Sequence, residues 1–248
     1  MKINIFEDDL QLSTFAANLI VEVIQHKPNA LICFASGNSP RLTCELFVQQ
    51  VKDKNINISQ CSFIGFDEWV GVTPEIKGSC HFDFLNRLVN PLALQPYQYH
   101  LYDGMAENLE LECAIMDEWI DERGRIDIMI VGIGMNGHIG FNEPDVDIDL
   151  RSHVIELADS TVVGGRKYFD HDVTLKKGIT LGFGYLIHSI KVLLLANGVN
   201  KSSVIQQAVE GALTTSFPAS IMQIHPEGYI IVDKEAGSLL KIKASSLE

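Results

Sequence analysis

Six short, predominantly apolar runs rich in β-branched residues punctuate the 248-residue chain: KINIF (2–6), ALICFA (30–35), CSFIGF (61–66), IDIMIV (126–131), KVLLLA (191–196) and GYIIV (228–232). Each has the length of a strand, and most have the near-continuous hydrophobicity of one covered on both faces. Between them lie longer segments whose apolar residues recur at helical spacing: LQLSTFAANLIVEVIQ (10–25), PRLTCELFVQQV (40–51) and MAENLELECAIMDEWIDE (105–122). Strands alternating with helices predict an α/β fold, a doubly wound, mostly parallel, Rossmann-like sheet with helices on both faces. No internal repeat, low-complexity tract or linker-like shift in composition divides the chain, so one domain over 1–248 is expected. The polar segment 145–175 shows no clear period and reads as irregular, with room for a mobile loop.

Ligands of such sheets collect at the carboxyl ends of the strands, where loops meet helix N-termini. Three informative stretches fall there: ALICFA runs into SGNSP, CSFIGF into DEWVG, and IDIMIV into GIGMNGHIGFNEP. In the first, Ser36, Gly37, Asn38 and Ser39 precede Pro40, a residue suited to the first turn of a helix. Free N–H groups and hydroxyls there suit a phosphate, and an ordinary capped turn explains the same residues equally well. The sequence is neither GxxxxGK[ST] nor GxGxxG, so it does not signal a nucleotide.

Asp67 and Glu68 leave the third strand between two aromatic residues, where a carboxylate loses water and its pKa rises toward a useful base value. A solvated turn residue is the plain alternative. In GIGMNGHIGFNEP the glycines at 132, 134, 137 and 140 permit close backbone approach and positive φ, so that His138 and Glu143 can face one pocket. An imidazole beside a carboxylate is a proton shuttle near neutrality. A glycine-rich loop holding a structural histidine is the competing reading. Lys201, opening the helical stretch KSSVIQQAVEG, and Arg166 and Lys167 in GGRKYF are basic groups able to meet a phosphate, or simply solvated cations.

The net charge of −13 argues against a nucleic-acid partner, and no basic stripe offsets it. Five cysteines, at 33, 44, 61, 80 and 113, form no CxxC pair. No disulfide framework and no metal site are expected from them, and the setting reads as reducing and cytoplasmic. Nor does a second histidine stand at ligand spacing near His138. No apolar run has signal-peptide form or membrane-spanning length. GxSxG, the mark of a serine hydrolase, does not occur.

Taken in order, ALICFASGNSP, FDEWVG, GIGMNGHIGFNEP, GITLGF, LLLANGVNK and FPASIMQIH resemble the sugar-phosphate isomerase family that contains glucosamine-6-phosphate and galactosamine-6-phosphate deaminases, with 6-phosphogluconolactonase a more distant relative. The likeness spans nearly the whole chain, and GxxGHIGFNEP is its most specific element. It implies a cofactor-free conversion of a 2-amino-2-deoxyhexose 6-phosphate into a ketohexose 6-phosphate and ammonia. Carried onto matching positions, Asp67 moves the C2 proton to C1, and His138 assists ring opening. Glu143 orients that histidine, and Asn136 stands where some members have Asp. The loop Ser36 to Ser39 with Lys201 grips the phosphate, with Gly132 beside it, and Lys167 stands where glucosamine enzymes tend to carry Arg.

Within this resemblance, Trp69 in DEWV, Cys80 in GSC and the run GITLG are closer to galactosamine-type enzymes, so galactosamine 6-phosphate is expected ahead of glucosamine 6-phosphate. The segment SHVIEL (152–157) lacks the basic pair of allosteric hexameric relatives, which implies no activation by N-acetylated sugar phosphate. A lactonase of the same fold and a non-catalytic sugar-phosphate sensor are the remaining alternatives. A homo-oligomer stays open.

Overall fold

The computed structural model describes residues 1–241; the ending KASSLE, which reads equally as native or as an appended tail, lies outside the described residues. Seven parallel-paired strands form the main sheet: β1 (Lys2–Phe6), β2 (Leu31–Phe34), β3 (Ser62–Gly65), β5 (Tyr99–His100), β6 (Ile128–Val131), β9 (Lys191–Ala196) and β10 (Gly228–Asp233). Their order is β1-β10-β9-β6-β2-β3-β5. All six apolar runs are strands of this sheet, with β5 added at its edge.

Alternate residues of one strand feed opposite cores. Leu31 and Cys33, Met129 and Val131, and Val192 and Leu194 face one side. Ile32 and Phe34, Ile128 and Ile130, and Leu193 and Leu195 face the other. That second face is covered by α1 (Asp9–His26) and α2 (Asn38–Asp53), with Leu12, Ile20, Phe47 and Val51 packed inward. The first is covered by α5 (Leu109–Arg123), α7 (Phe183–His188) and α8 (Ser202–Glu210), through Met116, Ile120, Leu186, Ile205 and Ala208. Asp8 caps α1 and Asn108 caps α5, each side chain accepting an N–H from the first turn. Short helices α3 (Cys80–Phe84) and α4 (Asn90–Leu92) flank a π-helical turn between β3 and β5.

Segment 145–175, read above as irregular, instead carries a strand and a short helix. β4 (Asp67–Trp69), β8 (Lys177–Thr180) and β7 (His153–Glu156) make a three-stranded antiparallel sheet, with α6 (Asp159–Gly165) following β7. A separate apolar cluster of Trp69, Val72, Phe141, Leu157, Phe169 and Leu175 supports this small sheet. Trp69 lies 4.5 Å from Phe141 and 6.0 Å from Phe169 between ring centroids. Strands of three or four residues are too short for a period to show, which is why the sequence pattern hides them. Among the described residues no helix is long and apolar enough to cross a membrane.

Candidate functional site

The chain passes from β2 outward to β3 and β5, then returns through α5 to β6 on the opposite side of β2. That reversal separates the loops leaving β2 and β6 and opens a crevice at their carboxyl ends. The loops after β2, β3, β6 and β9, four neighbouring strands, all reach it.

The loop after β2 turns through Gly37 at φ +113°, a conformation open to glycine, and α2 starts at Asn38. The N–H groups of Asn38 and Ser39 lie in the first turn of the helix, where no intrahelical acceptor is available. Ser39 Oγ donates to Asn197 Oδ1 at 3.1 Å, which ties this loop to the one after β9. Gly132, at the end of β6, stands against Pro40: a Cβ there would lie 3.8 Å from the proline ring.

Lys201 closes a short turn just ahead of α8, and its Nζ donates to the Ile133 carbonyl at 2.6 Å. Burial, reinforced by the positive charge of Lys167, lowers its pKa to about 8. Lys167 comes from the turn after α6, so the small sheet supplies a cation facing one supplied by the main sheet. Two ammonium groups that repel each other beside a helix N-terminus favour an anion between them. Tyr168 closes the same space from above, its hydroxyl 3.8 Å from where a Cβ on Gly37 would sit.

Asp67 and Glu68 are adjacent on a strand and therefore point oppositely. Glu68, 2% exposed, accepts the N–H groups of Trp69, Cys80 and His81 at 2.7, 3.0 and 2.7 Å. It fastens the start of α3 to β4; burial raises its pKa to about 7, the three donors opposing the rise. Asp67 faces the crevice. Burial pushes its carboxyl up to about 7, with a hydrogen bond from Cys80 working the other way. Its Oδ1 is buried without a partner.

The loop after β6 holds a hydrogen-bonded chain. Asn136 Nδ2 donates to Glu143 Oε2 at 2.8 Å, and Asn136 Oδ1 lies 2.7 Å from His138 Nδ1. A carboxylate only accepts, so the amide must turn its NH₂ to Glu143 and its oxygen to the imidazole. His138 Nδ1 therefore carries the hydrogen, and Nε2 keeps its lone pair. Thr161 Oγ1, from α6, lies 3.1 Å from the same Nδ1. Glu143 Oε1 accepts the N–H of Ala158, the residue that starts α6, at 3.1 Å. Glu143 Oε2 is 3.7 Å from His138 Nδ1 and so acts on the ring by charge and through Asn136. Burial lowers the His138 pKa, Glu143 opposes that shift and Lys201 adds to it. A neutral imidazole with a free Nε2 is the result.

Ser36 and Asp67 line one cavity, exposed Asn38 faces a separate cleft beside Asn197, Lys201 joins the His138 loop through the Ile133 carbonyl, and Lys167 approaches Lys201 from the turn after α6. Thr161 and Tyr168 are site residues that sequence reasoning missed; both lie in the segment whose pattern gave no element. Trp69 is 5% exposed and packs within the apolar cluster of Phe141 and Phe169. Among the described residues no group of three His, Cys, Asp or Glu side chains is arranged to hold a metal.

The family model for glucosamine-6-phosphate isomerases/6-phosphogluconolactonase matches residues 9–230. The chain belongs to this family. Curated relatives include glucosamine-6-phosphate deaminases of Thermoanaerobacter pseudethanolicus, 35% identical over 97% of this chain and 95% of the relative, and of Clostridium botulinum strain Alaska E43, 36% identical over 98% of each. Among solved structures of the family, a monomeric glucosamine-6-phosphate deaminase superposes with a TM-score of 0.93 at 31% identity, covering 97% of this chain and all of that one. A Thermotoga maritima 6-phosphogluconolactonase shares the fold at a TM-score of 0.74 and 18% identity.

Proposed function

We propose that this protein is an amino-sugar-phosphate deaminase and isomerase, and that its substrate is glucosamine 6-phosphate, converted to fructose 6-phosphate and ammonia. One observation carries the reading: the partly buried Asp67 carboxyl, held near pKa 7 by desolvation, shares a crevice with a neutral imidazole and a two-lysine anion pocket. The phosphate occupies the pocket formed by Ser36 to Ser39, Lys167 and Lys201 and fixes the reacting end of the sugar. His138 Nε2 takes the anomeric hydroxyl proton and delivers it to the ring oxygen, opening the ring. Asp67 then removes the C2 proton and returns it to C1, which leaves an iminium at C2. Water adds there and ammonia departs.

Glucosamine takes precedence over galactosamine for two reasons. The curated relatives named above are glucosamine-6-phosphate deaminases. Trp69, one of the three features that favoured the galacto epimer beside Cys80 and GITLG, serves the aromatic cluster of the small sheet rather than a hydroxyl on the sugar. The lactonase alternative has no use for a carboxyl that carries a proton between carbons. Ammonia release and ketose 6-phosphate formation, measured with both amino sugar phosphates side by side, test the assignment. Faster turnover of glucosamine 6-phosphate is expected; the reverse preference would restore the galactosamine reading, and no ammonia from either would overturn the deaminase.

The pH profile follows from the two shifted groups. Activity needs ionised Asp67, so kcat/KM should rise through about pH 7, and it should fall above about pH 8 as Lys201 loses its charge. Bound phosphate pulls the Lys201 pKa back up. The alkaline limb should therefore appear in KM and be nearly absent from kcat. An equal alkaline fall in kcat would remove Lys201 from phosphate binding.

A further inference from the structure

The start of α6 touches both ends of the hydrogen-bonded chain that runs from Glu143 through Asn136 to His138. At the far end the Ala158 N–H donates to Glu143 Oε1 at 3.1 Å. At the near end Thr161 Oγ1, on a residue only 4% exposed, lies 3.1 Å from His138 Nδ1. Asn136 Oδ1, the shorter contact of that nitrogen at 2.7 Å, also accepts the backbone N–H of His138 at 3.2 Å. Glu143 fixes the amide, so Nδ1 carries the hydrogen, and a hydroxyl facing it has to accept. Thr161 therefore turns a lone pair to the ring and its own hydrogen elsewhere. One hydrogen on Nδ1 is shared by two oxygens, one from the loop after β6 and one from α6.

We propose that Thr161 is a positioning residue for ring opening: its hydroxyl oxygen shares the Nδ1 hydrogen of His138 with Asn136, which steadies the imidazolium formed when Nε2 takes a proton and ties that step to the seating of α6. This rests on the deaminase reading. In the step, Nε2 takes the hydrogen of the anomeric hydroxyl, and the electron pair of that O–H bond forms the C1=O double bond. The bond from C1 to the ring oxygen breaks, its electron pair stays on the ring oxygen, and Nε2 returns the proton there. The imidazole starts and ends neutral and is charged only between. Nδ1–H becomes the stronger donor during that interval, so both oxygens hold it more tightly at the barrier than before it, the condition for an interaction to raise the rate. Ala158 supplies the geometric link, because α6 cannot leave the ring without also releasing Glu143.

The charged groups that act on His138 are Glu143, from its own loop, and Lys201, from the turn ahead of α8, and they pull its proton affinity in opposite directions. Asp159, the acidic residue in the first turn of α6, is exposed, and what α6 sets against the ring is an uncharged oxygen. An acceptor on Nδ1–H stabilises the charged ring, so its loss should lower the imidazole midpoint. The fall should be roughly half to one pH unit, the size of one hydrogen bond.

The test compares wild type with Thr161→Val, Thr161→Ala and Thr161→Ser. The titration midpoint of the ¹⁵N-labelled His138 ring, assigned with His138→Gln, is read by NMR, and kcat is measured with glucosamine 6-phosphate carrying hydrogen or deuterium at C2. Thr161→Val keeps the branched shape and removes the acceptor. Its midpoint should fall by the amount given above, and kcat should drop roughly threefold to tenfold. The isotope effect should shrink, because ring opening rather than C2–H cleavage then limits turnover. Thr161→Ala, which needs no extra room, should show the same fall in midpoint. Thr161→Ser restores the hydroxyl and should recover all three readouts, whereas a merely structural threonine would leave midpoint and isotope effect unmoved. An unmoved midpoint in the Val and Ala variants, or one that Thr161→Ser fails to restore, would overturn the proposal. If wild type releases no ammonia, the deaminase reading fails instead, and the midpoints still decide the contact on Nδ1.

Discussion

Asp67→Asn should cost about a thousandfold or more in kcat and at the same time make the protein more resistant to heat at pH 8. The activity loss follows from the role assigned above: an amide cannot accept the C2 proton, and general base catalysis is worth about 10²–10⁴ in rate. Phosphate binding lies with other residues, so KM should stay within about threefold. The gain in stability comes from linkage. A carboxyl whose pKa is about 7 in the fold and near 3.8 in the unfolded chain favours folding most below the lower value. That contribution is lost as pH rises through about 7. The buried charge at pH 8 then costs up to a few kcal/mol. The uncharged Asn escapes that cost. Melting midpoints of both proteins should differ by several degrees at pH 8 and converge near pH 4. Full activity in the variant would remove Asp67 from the reaction, and equal midpoints at pH 8 would mean that its carboxyl is not desolvated.

Gly134→Ala should be nearly as damaging, without touching a reacting group. A Cβ at 134 would stand 2.1, 2.3 and 2.4 Å from three atoms of the His138 imidazole, all inside van der Waals contact. The ring lies directly on the glycine and would have to swing off Asn136 Oδ1 and Thr161 Oγ1. Misplacement by about 1 Å can cost roughly a hundredfold, and loss of the tautomer set by Asn136 adds to it. The loss should be about a hundredfold or more in kcat, with the fold retained by circular dichroism. Gly132→Ala is the matched comparison, since a Cβ there meets only the Pro40 ring at 3.8 Å, an ordinary contact. It should fold normally, and any loss should fall on KM. A fully active Gly134→Ala enzyme would mean that His138 does not have to stay where the structure holds it.

The glycines that crowd the histidine are therefore partly a matter of space for it. That was legible in the sequence only as an oddity, because distances between a loop glycine and a ring four residues later depend on how the loop closes. Gly134 N–H donates to the His138 carbonyl at 2.9 Å and completes that closure. The centre of the main sheet was readable because β2, β6, β9 and β10 are nearly continuous apolar runs buried on both faces, whereas the edge strand β5, only Tyr99–His100 and half-buried, was not. The small sheet was not. β4 is only Asp67–Trp69, and α6 reads DSTVVGG, a short segment ending in two glycines. Both are held by tertiary contacts more than by local preference. The same gap concealed Thr161 and Tyr168. Trp69 was visible without its setting, since an aromatic beside a carboxylate looks the same whether it lines a site or packs beneath it.

The pairing of β4 with β8 and β7 bears on how this protein can be re-engineered. The segment bringing Lys167, Thr161 and Tyr168 is hydrogen-bonded through β8 to the strand that begins with Asp67. A graft of residues 145–180 from a relative would carry new lysine and tyrosine positions onto an unmatched β4 edge and an unmatched aromatic cluster. Recombination that respects the molecule has to treat 67–80 and 145–180 as one cassette, although more than sixty residues of chain separate them.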